Sequence, residues 1–164
     1  MIYIVEAGHE EDDESERVTK ATAADMADIE VKVSSSKVNA ALKEMLRIKR
    51  DHPEDKIVVV SQFTSFLSII QSYMHENEFR YVRLDGSMSQ PDRADVVKAF
   101  QSQGKKSPTV LLLSLRAGGV GLNLTAANHL LLLDPAWNPA AEWQVRDVHV
   151  FKIQAKKLTG ENLS

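Results

Sequence analysis

Three short stretches of this sequence hold residue types suited to gripping a negatively charged ligand. Val60-Ser61-Gln62-Phe63-Thr64 places polar side chains directly after an apolar run, and Leu84-Asp85-Gly86-Ser87 does the same after another. The richest stretch is Ser114-Leu115-Arg116-Ala117-Gly118-Gly119-Val120-Gly121-Leu122-Asn123-Leu124. Its glycines leave the backbone bare enough for N–H groups to reach phosphate oxygens, and Arg116 adds a positive charge. A glycine-rich turn tucked beneath a helix would use the same residues, so the loop by itself leaves both readings open. Other chemistries find less support. His9, His52, His75, His129 and His149 are scattered without ligand spacing, there is no cysteine, and no metal site is expected. No G-x-S-x-G or G-x-G-x-x-G follows an apolar run, which argues against an unrelated doubly wound enzyme.

These stretches matter only if the chain brings them to one place. Ser34-Ser35-Ser36 supplies an N-cap, and behind it Val38, Ala41, Leu42, Met45 and Ile48 recur at helical spacing, so residues 37–50 read as an amphipathic helix ended by Asp51-His52-Pro53. Ile57 to Val60 is a β-branched run apolar on both faces, the pattern of a buried parallel strand. Phe66, Leu67, Ile69, Ile70 and Met74 form the next helix face, and Tyr81 to Leu84 a second strand. Ser89 is placed to cap a helix carrying Val96, Val97 and Phe100, after which Thr109–Leu113 and His129–Leu133 read as further strands. Strands alternating with helices predict an α/β fold, a parallel sheet with helices on both faces. In such a sheet the loops at the carboxyl ends of the strands form the working edge, and the three polar stretches all follow strands.

Composition bounds the rest. The 164 residues are 43% hydrophobic and 26% charged, enough for one domain with a core. The absence of cysteine excludes a disulfide scaffold and suits a reducing compartment. No apolar run is long enough to span a bilayer, and Met1 to Val5 is too short for a signal sequence, so no membrane association is expected. Residues 1–33 hold ten acids against three bases. Their net of −7, within a chain net of −3, leaves +4 on the remainder. A mildly basic body suits nucleic acid, although a charge of that size is also ordinary. The run Glu10 to Glu14 and the Ala, Thr and Ser that follow make residues 1–33 an acidic, flexible N-terminal segment, ahead of a folded body at 34–142 and a divergent tail or helix at 143–164.

Taken in order and at their spacing, VVSQFT, RLDGS, SLRAGGVGLNLTAANHLLLLD and DPAWNPAAE resemble motifs IV, V and the following strand of the Swi/Snf branch of superfamily-two helicases. The SSSK helix start and SQFTSFL are similar to the helicase-like transcription factor subfamily within it. The resemblance covers residues 34–144. It implies a RecA-like lobe, the second of two that clamp ATP and Mg2+ between them and translocate on double-stranded DNA, in DNA repair, transcription or chromatin remodelling in the nucleus. It implies that Ser61, Gln62, Ser114, Arg116, Ala117 and Gly118 face the DNA phosphate backbone. It also implies that Gly119, Gly121, Asn123 and Gln144 lie toward the lobe–lobe cleft and couple it to ATP. Such contacts would bind without reading sequence and weaken with salt.

The chain departs from that family in two ways. It contains no G-x-x-x-x-G-K-[ST] phosphate loop and no D-E-x-H box, so the residues holding phosphate and magnesium are expected in a first lobe, present in cis or in trans. Motif VI is also broken. Where the family continues D-Q-x-x-D-R-x-H-R-x-G-Q, this chain reads Trp143-Gln144-Val145-Arg146-Asp147-Val148-His149-Val150-Phe151. A gap-free alignment puts Val148 and Phe151 where the two arginine fingers belong, and a finger can be worth ~10³–10⁵ in rate. The resemblance therefore implies that the chain alone has no catalytic residues, needs no cofactor and hydrolyses no ATP. Alternatively, Val145-Arg146-Asp147 and Phe151–Lys157 match a downstream stretch ending in a helix, K-I-Q-x-K-K, as though motif VI and the strand after it were excised. On that reading the lobe is truncated at its C-terminal end, residues 143–164 pack poorly and stability is marginal. Two functions stay open: a second motor lobe inactive alone, or a non-catalytic module binding DNA or a partner lobe.

Overall fold

A run of β-branched and leucine residues with no polar face can form a strand only if both of its faces are covered. In a computed structural model, which describes residues 36–118, 122 and 124–134 and the backbone of residues 2–7, 18–19 and 149–155, three such runs and one partly exposed edge strand make a parallel sheet. The strands are β3 (Ile57–Ser61), β4 (Tyr81–Leu84), β5 (Val110–Ser114) and β6 (His129–Leu132). β3 lies in the middle, with β5 on one side and β6 on the other, and β4 beyond β5. Ile57 is the register partner of both Val110 and His129.

Because successive strand residues point to opposite faces, each strand feeds two cores. Ile57, Val59, Val110, Leu112, Leu131 and Leu133 face α1 (Ser36–Asp51) and α2 (Thr64–Glu76), where Met45, Ile48, Leu67, Ile70 and Met74 are fully buried. Val58, Val60, Leu84, Leu111, Leu113, Leu130 and Leu132 face the other way, onto Phe100 of α3 (Gln90–Gln101) and onto Ala117, Leu124 and Ala127. The result is the three-layer arrangement that the alternating pattern implies. Helix limits follow local chemistry. Ser89 accepts from the Asp92 amide at 3.3 Å, Pro91 occupies the first turn, and α1 stops at Asp51.

The amino-terminal edge of the sheet is closed by Lys56. Its buried ammonium donates to the carbonyls of Phe100 and Pro108, both at 2.7 Å, and so ties the start of β3 to the end of α3 and the approach to β5. Burial, and then the charge of Arg80, hold its pKa below the usual lysine value.

Two expectations change. The excision reading made Phe151–Lys157 a poorly packed helix. Instead β7 (His149–Ala155) lies parallel to β6, with Leu131 opposite Phe151. The alternation of Phe151, Ile153 and Ala155 suits a strand, and β6 offers a row of hydrogen-bonding groups for it to satisfy. Part of the segment assigned to the flexible N-terminus is also strand. β1 (Ile2–Ala7) pairs antiparallel with β7, and β2 (Val18–Thr19) pairs antiparallel with β1, giving the order β2-β1-β7-β6-β3-β5-β4. The acidic run Glu10–Glu14 lies outside the described residues.

Candidate nucleic-acid interface

The chain leaves β3 and β5 in opposite directions. After β3 it enters α2 on one face, and after β5 it passes through α4 (Leu115–Gly118) toward Leu124 and Ala127 on the other. Adjacent parallel strands whose loops diverge open a crevice at their carboxyl ends, which is where α/β sheets bind ligands. Ser61 and Ser114 sit opposite each other there, as the last register pair of β3 and β5. The two stretches singled out by their chemistry, SQFT and SLRAGG, are thus neighbours in space.

Their side chains divide sharply. Ser61, Ser114 and Ala117 are buried, whereas Gln62 and Arg116 are exposed. Of these residues, only Gln62 and Arg116 therefore present their side chains to solvent, with the buried residues shaping the floor. Ala117 packs in the core beneath the sheet. The buried Ser114 hydroxyl has no hydrogen-bond partner among the described residues. Gly118 ends α4. Gly119, Gly121, Asn123, Gln144 and Val148 lie outside the described residues. Phe151 is part of β7, in register with Leu131 of β6.

The third stretch flanks the first two. Asp85 accepts from the Ser87 amide at 3.1 Å, from the Ser87 hydroxyl and from Arg83 Nε at 3.1 Å. The Ser87 hydrogen bond is the largest cause holding the Asp85 carboxyl below its ordinary range, with Arg83 adding to it and burial opposing. Arg83 also donates to Ser68 and Gln71 of α2, so this cation is committed to holding α2 on the sheet. Arg93 of α3 donates to the carbonyls of Met88 and Gly86. Gly86 lies beside Arg116: a methyl group added there would come within 3.7 Å of the Arg116 Cβ, which is ordinary contact. The DGS loop therefore walls one side of the arginine.

Sequence reasoning missed three residues at this edge. Asp134, one residue past Leu133, is buried and reaches back to β3. Its Oδ2 accepts from the Ser61 hydroxyl at 2.8 Å and from the Gln62 amide at 2.7 Å. Its other oxygen faces Lys37 at 3.6 Å. Lys37, near the start of α1, also lies over the Phe66 ring at 5.6 Å. Phe63, the N-cap residue of α2, is the one large hydrophobic side chain exposed among the described residues, at 49%. A carboxylate directly after a buried strand was the only hint of the Asp134 contact in the sequence.

Comparison with known proteins agrees with this geometry. The helicase conserved C-terminal domain matches residues 36–147. The helicase-like transcription factor of Homo sapiens is 51% identical over 114 residues, 70% of this chain and 11% of that protein. The DNA repair protein RAD5 of Gibberella zeae is 46% identical over 136 residues, 83% of this chain and 12% of that protein. The aligned region is thus a small part of the curated relatives' length. Among solved structures, the C-terminal part of the Fun30 ATPase domain superposes with a TM-score of 0.60 at 28% identity, covering 71% of this chain and 40% of that one. The Sulfolobus solfataricus SWI2/SNF2 ATPase core in complex with double-stranded DNA does so with a TM-score of 0.59 at 30% identity, covering 70% and 25%.

Proposed function

This chain belongs to the helicase conserved C-terminal domain family, as a RecA-like lobe of the Swi/Snf type, and from that premise we propose that it is the second motor lobe of an ATP-dependent DNA translocase acting in DNA repair or transcription, in the nucleus. The observation that carries the proposal is the meeting of the SQFT and SLRAGG loops at the carboxyl ends of two adjacent parallel strands. Exposed Gln62 and Arg116 grip duplex phosphates there, and Ser61, Ser114, Ala117 and Gly118 set the height and shape of the grip. Contacts of this kind hold the backbone without reading bases. The structural relative solved with double-stranded DNA supports the choice of ligand.

In the intact motor, ATP and Mg2+ sit mainly on the first lobe. Gly119, Gly121, Asn123 and Gln144 are the residues of this chain proposed to turn toward that cleft. Alone the chain holds no phosphate-loop lysine and no arginine at Val148 or Phe151, so we expect no turnover without a first lobe. A second reading, a non-catalytic module that binds DNA or docks on another motor's first lobe, is favoured by one feature. The exposed phosphate-facing residues are present while the finger positions are not arginine.

One assay separates the two readings. The full chain is mixed with duplex DNA, ATP-Mg2+ and the first lobe of a related Swi/Snf ATPase, and released phosphate is followed. DNA-stimulated release that needs both lobes supports the motor reading. Duplex binding with no release above the first lobe alone supports the binding module.

A further inference from the structure

A backbone amide in a phosphate-gripping loop is useful to a ligand only while it is free. In this chain the Gln62 amide is already taken, at 2.7 Å, by the buried carboxylate of Asp134. The same oxygen accepts the Ser61 hydroxyl at 2.8 Å. The Ser61 oxygen in turn accepts the Phe63 amide at 3.0 Å. One carboxylate oxygen thus fixes two successive amides of the loop, Gln62 directly and Phe63 through Ser61. Phe63 is the N-cap of α2 and has no side-chain cap of its own, and the relay occupies its own backbone amide.

We propose that Asp134 is a positioning residue for the phosphate grip: it acts through Ser61 to hold the loop 61–63 so that Gln62 projects beside Arg116. The inference rests on the function proposed above and adds a residue to it.

Three observations carry the assignment. The Asp134 side chain is only 2% exposed, so the carboxylate cannot reach a ligand itself. Its contacts cross 72 and 73 residues of sequence, joining the end of β6 to the end of β3. Lys37 stands 3.6 Å from the second oxygen, which offsets a negative charge that would otherwise repel phosphate at this edge. Through Asp134, the segment after β6 and the first turn of α1 are both tied to the grip.

The test uses the full chain, isotope-labelled, with a short duplex. In Asp134→Leu the Gln62 and Phe63 amides are expected to lose the downfield shift of carboxylate- and hydroxyl-bound protons and to exchange faster with solvent. The amides of Leu112 and Leu131 in the sheet should stay protected. Duplex affinity should fall about tenfold, the loss expected for a displaced charge-assisted contact. Asp134→Asn, which keeps an acceptor oxygen, should restore both readouts to within about threefold of wild type. If Asp134→Leu does not fold, Ser61→Ala breaks the relay alone and should release the Phe63 amide while Gln62 stays bound. Unmoved Gln62 and Phe63 amides in Asp134→Leu, or an unmoved Phe63 amide in Ser61→Ala, overturn the relay itself. Released amides with unchanged duplex affinity, or Asp134→Asn as weak as Asp134→Leu, overturn its positioning role. Failure of the wild-type chain to bind duplex at low salt would instead overturn the proposed function, and this use of the relay with it, even with the amide shifts intact.

Discussion

Arg116 is exposed on a one-turn helix, with the DGS loop at its side and no acidic partner among the described residues. A guanidinium so placed suits a phosphate oxygen better than an internal ion pair. Arg116→Ala should therefore weaken duplex binding by a similar factor for every DNA sequence, and should lower the dependence of log affinity on log salt by about 0.9, the share of one phosphate. Fluorescence anisotropy across a salt series checks both. Asp85 offers a stability test at the same scale. Its folded pKa lies below the 3.8 of the free side chain, chiefly through the Ser87 hydrogen bond. The unfolded chain therefore takes up that proton first as pH falls. The stabilisation is complete above pH 3.8 and is lost as pH drops through the lower folded value. Denaturant midpoints measured downward from pH 6 should converge for wild type and Asp85→Asn at the acid end, with wild type the more stable above it. Because Asp85 is only partly buried, the gap should be small.

At the scale of elements, Phe100 is the anchor of the second face. It is fully buried on α3 against β3 and β5, and its carbonyl accepts from Lys56. Phe100→Ala should cost about 3–5 kcal/mol, read as a shift in the urea midpoint. Most elements were legible in the sequence for a plain reason. Each central strand is a β-branched or leucine run bounded by turn residues, and each helix repeats its apolar face at the right spacing. Ser89 and Asp51-His52-Pro53 marked ends correctly for the same local reason. β7 was misread because Lys152-Ile153-Gln154-Ala155-Lys156-Lys157 suits a helix in isolation, and only the open side of β6 makes its first half a strand. β1 was overlooked because an acidic run follows it closely. Within the site, the placing of SQFT and SLRAGG at one edge of the sheet followed from both coming after strands, while their adjacency did not. The Asp134 relay and the burial of Ser61 did not, because they depend on contacts between residues far apart in sequence.

For the whole molecule, the sheet brings one side's polar loops together at one edge, while the opposite edge is sewn shut by Lys56, Asn128 and the Asp55–His129 pair. The aligned region is only 11–12% of the helicase-like transcription factor and RAD5 relatives. Under the proposed function the chain is half of a clamp, with phosphate contact its own share of the work. No helix among the described residues is long and apolar enough to cross a membrane. The central claim is that this edge holds the DNA backbone, and the most direct test is the affinity of the full chain for a short duplex of arbitrary sequence, titrated with salt in the absence of ATP. The account predicts binding at low salt that is equal for unrelated sequences, falls log-linearly as salt rises, and weakens in both Arg116→Ala and Gln62→Ala. Absence of binding at low salt, or binding that neither substitution changes, would contradict it.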